Sequence, residues 1–308
     1  MRTLFTSRRP LQRAENIKAI YAAYNGEKAF SQMDPRLRIP DADMRDYDLL
    51  VTDEFTVESP GKVILVGHGI AGGKTYGFDQ PQPYINRRCA ELLTYVITTS
   101  EEMIPLTAKQ SGVSESQVLA LGMPRTDAYF RPYQRKSSKR VYLYAPTYRG
   151  VNEPETPSVD WQRIDTQLTD GELLIVKPHM LTGELLHGEY RHIEAVSSDL
   201  PTTPYLLECD VLITDYSTIM LDAHVAGKPV ILFDKGFNFA SVRGMYLKYP
   251  DEYAGRYCTD EDKLVKLARF ANAQLRADIK CCRKTAGACD GRSTERVINL
   301  IKSIGESL

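Results

Sequence analysis

Two histidines occupy positions where an imidazole is better placed for proton transfer than for packing. His68 stands between two glycines at the end of a short apolar run, and His179 follows a Lys-Pro pair at the end of another. Because an imidazole titrates near neutral pH, both side chains are suited to general acid–base work. The alternative is the structural role that a lone histidine more commonly has. Three further histidines end no strand and fit that structural role: His187, His192 and His224.

The segment 211–234 places an acid and two hydroxyls where an apolar run gives way to a helical pattern. Asp215, Ser217 and Thr218 stand at this junction, and Asp222 follows one helical turn later. A helix N-terminus offers unpaired N–H groups and the positive end of the helix dipole, which suit a phosphate. The alternative is that Ser217 only caps the helix and that Asp215 satisfies a turn.

Several cationic side chains also follow apolar runs or lie in a loop after one. Arg149 and Lys177 follow apolar runs in the second half, Arg125 follows one in the first half, and Lys74 lies in a glycine-dense loop. Glycines let backbone approach a ligand closely. Together with hydroxyls and a helix N-terminus, these cations describe an anion site, most simply for a phosphate or pyrophosphate. The alternative for Arg149 is an ordinary ion pair with an acid.

Short apolar runs alternate with helical patterns, which is typical of a parallel, doubly wound sheet. Segment 211–234 predicts a strand, a helix ended by Gly227, and a second strand parallel to the first. Further strands are predicted at 3–6, 47–53, 63–66, 95–99, 117–121, 141–145 and 173–176, and further helices at 14–24, 101–110, 260–276 and around 297–301. The fold class is therefore α/β, with two doubly wound Rossmann-like domains facing each other across a cleft.

The length of 308 residues suits two domains of roughly 150 residues each. The pattern predicts a first α/β domain at 1–130, a basic linker at 131–140, a second α/β domain at 141–290 and a C-terminal helix at 291–308. The linker, RPYQRKSSKR, holds five basic residues and no acidic ones. Such a run is usually solvated; the alternative is contact with anionic lipid headgroups.

Composition and charge argue against several classes of protein. The formal net charge is -1, so no global basic field points to nucleic acid. The first residues lack the apolar core of a secretory signal, and no run approaches the ~18 apolar residues of a membrane span. We therefore expect a cytoplasmic protein without a nucleic-acid partner.

The six cysteines form no C-x-x-C pair, which predicts free thiols in a reducing compartment. Cys281, Cys282 and Cys289 lie close together in the chain, but adjacent cysteines fit the ligand spacing of zinc poorly. We expect neither a metal nor another cofactor.

Seven segments, in one order along the chain, resemble a known protein family. They are GHGIAGGK (67–74), LGMPRTDAYF (121–130), YLYAPTYRG (142–150), IVKPHM (175–180), VLITDYSTIMLDAHVAGKPVILFD (211–234), RGMYLKYPDEYAGRY (243–257) and CDGRSTERVINLI (289–301). The resemblance covers residues 63 to 301 and is to the CDP-glycerol glycerophosphotransferases, which build wall teichoic acids and related capsular polymers. TDYS with GKP and CDGRSTER is specific in combination, whereas KPH alone is weak.

The resemblance implies a two-domain fold like that of the GT-B glycosyltransferases. It also implies transfer of a polyol phosphate, glycerol phosphate first and ribitol phosphate next, from a CDP-activated donor with release of CMP. The acceptor would be a hydroxyl of a prenyl-linked or polymeric glycan, met peripherally at the inner face of the cell membrane. Domain 1–130 would then be the acceptor side, and domain 141–290 would bind the CDP donor.

The resemblance also assigns roles to residues. His68 matches the family's HG histidine and would deprotonate the acceptor hydroxyl, while His179 matches the KPH histidine. Asp215 to Ser217 match the phosphate-binding TDYS. We group the expected roles as catalytic for His68, His179 and Asp215; donor- or phosphate-binding for Arg149, Lys177, Ser217, Thr218 and Asp222; and acceptor-side for Lys74 and Arg125.

One departure from the family pattern leaves the acceptor open. The family usually continues its HG motif with a threonine and a proline, where this chain has Ile70-Ala71-Gly72-Gly73. Two other functions also stay open: a GT-B nucleotide-sugar glycosyltransferase, which shares the fold, and a non-catalytic protein of the same fold. The presence of both histidines argues against the second.

Overall fold

The computed structural model describes residues 1–67, 69–75, 77–80, 85–147, 159–179, 185–235, 244–248, 250, 253, 255–271 and 279–307 of the chain. The chain divides into two compact units, Met1–Arg131 with Arg283–Leu308, and Pro132–Cys282. Each unit is built around its own parallel sheet. The predicted fold class, α/β with two Rossmann-like units, is confirmed.

The strands are short and the helices follow them along both units. The strands are β1 Thr3–Ser7, β2 Lys28–Gln32, β3 Leu49–Thr52, β4 Lys62–Leu65, β5 Tyr95–Thr98, β6 Val118–Ala120, β7 Arg140–Tyr144, β8 Glu172–Val176, β9 Ile193–Ala195, β10 Val211–Thr214, β11 Val230–Phe233 and β12 Arg256–Cys258. The α-helices are α1 Glu15–Ala23, α2 Arg87–Glu91, α3 Ile104–Ser111, α4 Trp161–Asp165, α5 Thr203–Glu208, α6 Ile219–Val225, α7 Glu261–Phe270, α8 Ile279–Ala286 and α9 Ser293–Glu306.

The first unit has a parallel sheet in the order β2-β1-β3-β4-β5-β6. Successive side chains of each strand point to opposite faces of the sheet. Both faces are buried, because helices pack on each of them. Phe5 and Val51 face α1 and α9, whereas Leu4 and Leu50 face α2 and α3. The strands predicted in this half are all present. The edge strand β2 was missed because its sequence, KAFSQ, contains no β-branched apolar run.

Helix α9 belongs to the first unit because a side chain of that unit caps it. The two carboxylate oxygens of Asp127 accept the backbone N–H groups of Ser293 at 2.9 Å and Thr294 at 2.7 Å. A negative group at a helix N-terminus also complements the helix dipole. The structural division therefore differs from the sequence boundaries, which set 291–308 apart and assigned residues up to 290 to the second domain.

The second unit has a parallel sheet in the order β12-β11-β10-β7-β8-β9. The predicted strands are present, and the two short outer strands β9 and β12 are additional. Tyr144, Leu174 and Ile213 on the sheet share a core with Trp161 of α4 and Leu264 of α7. Helix α7 begins at Glu261, within one residue of the prediction, and ends at Phe270, because the backbone of Ala271 is extended. Residues 272–276 of the predicted helix lie outside the described residues.

The strand–helix–strand unit predicted at 211–234 is confirmed. Strands β10 and β11 pair in parallel, and α6 lies between them in the chain. Gly227 adopts φ +64°, a left-handed conformation that glycine tolerates. The N–H of Lys228 then bonds to the carbonyl of Ala223, which closes the helix in the way a C-terminal glycine allows.

The predicted linker 131–140 is attached to the second unit. Glu208 of α5 accepts the Tyr133 hydroxyl at 2.7 Å and the Ser137 N–H at 2.7 Å. The guanidinium of Arg135 binds both carboxylate oxygens of Asp210, at 2.9 and 3.0 Å. The Arg140 guanidinium donates to backbone carbonyls near the end of α7. This segment is therefore not a freely solvated chain.

All six cysteines are free, as predicted. Burial raises the pKa of the Cys209 thiol to about 12, so this thiol is protonated at neutral pH. Over the described parts of the chain, no three His, Cys, Asp or Glu side chains lie together as metal ligands.

Candidate active site

Asp215 ties together two loops at the carboxyl edge of the second sheet. Its side chain is only 3% exposed. One oxygen, Oδ1, accepts the backbone N–H of Thr147, 2.9 Å away, and that of Ser217, 3.1 Å away. Thr147 follows β7 and Ser217 follows β10, which are neighbours in the sheet. A single carboxylate therefore sets the relative position of these two loops.

A second contact reinforces this connection. The hydroxyl of Thr214, the last residue of β10, donates to the carbonyl of Ala145 at 2.6 Å. The N–H of Ala145 in turn bonds to the carbonyl of Ile213 at 3.0 Å. The chain that leads to Arg149 is thus fixed as far as Thr147; Arg149 itself lies outside the described residues.

The start of α6 has hydroxyls that do not cap it. Thr218 is the capping residue, and its side chain makes no capping hydrogen bond. The N–H groups of Met220 and Leu221 bond back to the carbonyls of Ser217 and Thr218. The N–H groups of Thr218 and Ile219 meet no acceptor among the residues that the structure describes. With the half-buried hydroxyls of Ser217 and Thr218, they form a small set of hydrogen-bond donors at this edge.

Two further predicted residues stand after β8, which neighbours β7 in the sheet. His179 is half-buried. Lys177 is only 4% exposed, and its ammonium group donates to the carbonyl of Ser198 at 3.3 Å. Asp222, in the first turn of α6, is also buried. The sheet order places His179, which follows β8, and Asp215 and Ser217, which follow β10, along one edge on either side of β7.

In the first unit, Asn16 joins two loops that carry predicted site residues. Its amide nitrogen donates to the carbonyl of Gly67 at 3.1 Å, and its amide oxygen accepts the N–H of Arg125 at 3.0 Å. Asn16 lies on α1 and is 3% exposed. It therefore holds the residue that precedes His68 against the 3₁₀ turn that begins at Pro124. His68 itself lies outside the described residues.

The glycine-dense loop after β4 packs against its own unit at two points. A side chain at Gly72 would meet Thr285 at 2.8 Å, and one at Gly77 would meet the carbonyl of Gln110 at 2.0 Å. The N–H of Ala71 is held by the Thr99 hydroxyl at 3.2 Å. These two glycines are thus explained by contacts within the protein. Lys74, in the same loop, is half-buried, as is Arg125.

A buried acid that was not among the predicted site residues lies at the carboxyl edge of the first sheet. Asp53 follows β3 and is 5% exposed, and its Oδ2 accepts the hydroxyl of Ser7 at 3.0 Å. Burial and then the charge of Glu54 raise the pKa of Asp53 to about 7, against the lowering effects of Ser7 and Arg9. The available signal was an acid at the end of a predicted strand.

Two of the family-like segments have structural roles. Asp127, in the segment 121–130, caps α9 at the start of the segment 289–301. A side chain at Gly122 would meet the carbonyl of Ala288 at 2.3 Å. The guanidinium of Arg296 returns to the carbonyl of Leu121 at 3.1 Å. These segments therefore bind each other and stabilise the first unit.

Comparison with known proteins gives the family. The family model for CDP-glycerol:poly(glycerophosphate) glycerophosphotransferase matches residues 47–303. This range includes the loops after β4, β7, β8 and β10 described above.

Curated relatives are similar over most of the chain. The teichoic acid glycerol-phosphate primase of Bacillus subtilis is 26% identical over 94% of this chain and 76% of the primase. The teichoic acid ribitol-phosphate polymerase TarL of Staphylococcus aureus is 26% identical over 77% of this chain. The chain spans about half the length of the polymerase, 47%.

Solved structures support the same fold. The wall teichoic acid polymerase TagF gives a TM-score of 0.80 at 19% identity, covering 100% of this chain and 90% of that one. The UDP-GlcNAc 2-epimerase of Methanocaldococcus jannaschii gives a TM-score of 0.59 at 13% identity, covering 98% of this chain and 99% of that one. At these identities the likeness shows the fold alone. The family match, which covers most of the chain, shows more: this chain belongs to the CDP-glycerol:poly(glycerophosphate) glycerophosphotransferase family.

Proposed function

We propose that this protein transfers a polyol phosphate, glycerol phosphate in the first place, from a CDP-activated donor to an acceptor hydroxyl, releasing CMP. The acceptor is a prenyl-linked or polymeric glycan, and the product is a teichoic acid or a capsule-like polymer. The family match over residues 47–303 carries this proposal. The primase and polymerase relatives support it, because their names describe transfer of glycerol or ribitol phosphate in teichoic acid synthesis.

The donor's pyrophosphate is assigned to the carboxyl edge of the second unit. The hydroxyls of Ser217 and Thr218 and the open N–H groups at the start of α6 supply hydrogen-bond donors. Arg149 supplies a cation with the forked geometry that matches phosphate oxygens. Lys177 adds positive charge from a buried position, where electrostatic interactions are screened less than in water.

Asp215 acts in this proposal as a positioning residue. Its Oδ1 already accepts two backbone N–H groups, and the side chain is buried. A carboxylate in this position holds the hydrogen-bond donors around it in place. This organising effect outweighs its electrostatic repulsion of an approaching phosphate. We assign the same kind of role to buried Asp222.

The reaction divides between one general base and the groups that bind phosphate. His68 accepts the proton of the acceptor hydroxyl as its oxygen attacks the phosphorus that bears glycerol. The bond from that phosphorus to the bridging oxygen breaks, and CMP leaves with the electron pair. His179 and Arg149 stabilise the charge that develops on the phosphoryl oxygens. We propose no metal or other cofactor for any of these steps.

The acceptor is assigned to the first unit. Lys74 and Arg125 are cationic groups of that unit suited to an anionic polymer or lipid diphosphate. Among the described helices, none is both long enough and apolar enough to cross a membrane. We propose that the protein meets a prenyl-linked acceptor peripherally, at the inner face of the cell membrane, and that exposed cations of the segment 131–140 contribute to this contact.

A panel of activated donors tests the function. Purified protein is incubated with CDP-glycerol, CDP-ribitol or UDP-sugars and a prenyl-linked acceptor, and nucleotide release is followed. CMP release from a CDP-polyol that depends on acceptor supports the proposal. UDP release from a UDP-sugar, without CMP from any CDP-polyol, would instead indicate a nucleotide-sugar glycosyltransferase.

Ser217→Ala gives a local test of the donor site. Removing one hydrogen-bond donor to a charged phosphate should weaken binding by about tenfold or more, since such bonds contribute about 1.5–3 kcal/mol. Calorimetry with CDP measures this affinity. Ser303, exposed on α9, provides the matched control as Ser303→Ala, which should bind CDP as the unaltered protein does.

A further inference from the structure

The connectivity of the first sheet has a switch point between β1 and β3. From β1 the chain goes to β2 on one side, and it then returns to β3 on the other side and continues outward to β6. Ligands of open α/β sheets bind beyond the carboxyl ends of the strands at such a point, because the loops there diverge and leave a crevice. The residues that follow β1 and β3 are therefore candidates for a binding site.

These residues include a buried carboxyl group with unused bonding capacity. Asp53 accepts the Ser7 hydroxyl through Oδ2 at 3.0 Å. Its Oδ1 is buried and has no hydrogen-bond partner among the described residues. Buried polar atoms are satisfied in the great majority of cases, so an unpaired carboxyl oxygen points to a functional role for the site.

The Asp53–Ser7 pair also sets the backbone that follows β1. The oxygen of the Ser7 hydroxyl accepts the backbone N–H of Arg9 at 3.1 Å. Asp53 thereby holds Ser7, and Ser7 holds the turn that presents Arg8 and Arg9. Strand β1 leads directly into this turn. Asp53, which follows the neighbouring strand β3, holds the turn through Ser7.

Both arginines of the turn have unused donors. The guanidinium of Arg8 lies 3.6 Å from a carboxylate oxygen of Glu54, but its Nε and Nη2 are buried without a hydrogen bond. Arg9 is half-buried, and its guanidinium forms no ion pair or hydrogen bond with any residue that the structure describes. Its charge acts on Asp53 and lowers the pKa of that acid. A guanidinium with open donors at a switch point is suited to bind an oxyanion.

We propose that this edge of the first unit is a phosphodiester subsite for the acceptor, in which Arg9 binds the phosphate and Asp53 positions the turn of Arg8 and Arg9 through Ser7. The inference rests on the proposed function and specifies its substrate class: an acceptor that already carries a polyol phosphodiester. The subsite recognises the unit next to the growing end, and the free hydroxyl of that end remains available for transfer.

Arg9→Ala tests the subsite with glycerophosphoglycerol, a small diester with one negative charge and polyol hydroxyls on both sides. Binding is measured by ligand-observed NMR titration. The unaltered protein should bind this probe, and Arg9→Ala should bind it at least tenfold more weakly, the size of a lost charge-assisted hydrogen bond. Glycerol, which lacks the phosphate, should not compete. Arg45→Ala is the matched control, because Arg45 is exposed and lies before the amino end of β3, away from the carboxyl end that Asp53 follows.

Asp53 is tested by two substitutions that separate its positioning role from a general loss of structure. Asp53→Ala removes the acceptor for Ser7 and should weaken probe binding and raise the KM for the acceptor. Asp53→Asn keeps an oxygen that can accept from Ser7 and should restore both to within about threefold. The KM for the donor and the affinity for CDP should be unchanged in both variants.

The outcomes separate this inference from the proposed function. Normal CDP binding and CMP release, together with probe binding that is unaffected by Arg9→Ala, would overturn the subsite and leave the function intact. Absence of probe binding to the unaltered protein, or equal competition by glycerol, would also overturn the subsite. Absence of CDP binding would contradict the proposed function, whatever the result with the probe.

Discussion

The carboxylate of Asp215 and the backbone N–H of Thr147 lie 2.9 Å apart and join the loops that follow two adjacent strands. The contact crosses 68 positions of the sequence. It fixes the direction in which the chain leaves β7 toward Arg149. The phosphate-binding groups proposed for the second unit therefore depend on an acid that contacts backbone and is not itself expected to contact the donor.

Asp215→Ala should destabilise the protein and weaken CDP binding. Two backbone N–H groups would lose their acceptor, and each buried donor left unpaired costs about 1–3 kcal/mol. We expect the free energy of unfolding in urea to fall by about 2–4 kcal/mol, whereas Asp215→Asn, which keeps an acceptor oxygen, should lose less. Asp170→Ala, at an exposed acid, is the control. Equal unfolding curves for Asp215→Ala and the control would show that Asp215 does not stabilise the protein through these two N–H groups.

The side-chain amide of Asn16 makes one hydrogen bond through its nitrogen and one through its oxygen. A substitution can therefore remove one of these bonds and keep the other. Asn16→Asp keeps the oxygen that accepts from Arg125 but cannot donate to the carbonyl of Gly67. We expect turnover to fall by at least tenfold, because the loop leading to His68 is no longer held, while CDP affinity stays unchanged. Steady-state kinetics and calorimetry measure the two quantities. Lys18→Ala, at an exposed position of the same helix, should alter neither.

A result with Asn16→Asp that weakens CDP binding and turnover equally would contradict this account. Such a result would show that Asn16 stabilises the protein as a whole. If Asn16 acts through the loop that precedes His68, the loss is confined to the steps that involve the acceptor side.

The sequence predicts the strand–helix–strand unit at 211–234 because its apolar pattern, glycine and proline act over a few residues. The partner of Asp215 is a backbone group that the fold brings near, and no local pattern encodes it. The same reason explains why Asn16 and Asp127 were missed. An asparagine beside Ile17 on a buried helix face is a weak signal, and the cap of α9 comes from a residue 166 positions away.

The partners of the basic residues in the segment 131–140 were also not predictable from the sequence. The composition of this segment predicts a solvated basic chain, because composition gives the charge of each side chain but not its partners. Asp210 and Glu208 stand far along the chain, Glu208 at the end of α5 and Asp210 just before β10, and the fold brings them to Arg135 and Ser137. Pairing of this kind follows only from the tertiary structure.

The protonation of Asp53 should make stability depend on pH in a recognisable way. Its pKa is 3.8 in an unfolded chain and about 7 in the folded protein. Between these values the folded state binds more protons, so the free energy of unfolding falls as pH rises from about 4 to about 7. The contribution of this group amounts to roughly 4 kcal/mol across that range.

Asp53→Asn removes this titration and isolates its contribution from those of other acids. The difference in unfolding free energy between the variant and the unaltered protein should shift in favour of the variant as pH rises through this window. Urea unfolding at several pH values measures the difference. A difference that is constant from pH 4 to pH 7 would show that Asp53 has an ordinary pKa in the folded state.

Membrane contact should depend on those cations of the segment 131–140 whose side chains bind no described group of the second unit. Arg135 and Arg140 bind groups within that unit, so the cations we expect to face a bilayer are the exposed Arg131 and Lys136 and the half-buried Lys139. Each contributes about 1 kcal/mol near an anionic surface. Changing these three to Ser should reduce co-sedimentation with anionic vesicles, and high salt should do the same.

A variant of equal charge change at a distance provides the control for vesicle binding. Lys18, Lys266 and Lys302 are exposed and lie outside this segment, and their change to Ser should leave binding as it is. Equal losses in the two triple variants would show that net charge alone governs attachment. Vesicle binding that survives both would place membrane contact on another surface.

The most direct test of the account measures both products of one reaction. Purified protein is given labelled CDP-glycerol and a prenyl-linked acceptor, and CMP release is compared with glycerol phosphate incorporated into the acceptor. We expect equal amounts, with His68→Ala lowering both by ~10²–10⁴ while CDP affinity is retained. A protein that binds CDP-glycerol but transfers no glycerol phosphate, or a His68→Ala variant with more than about a tenth of the original rate, would contradict it.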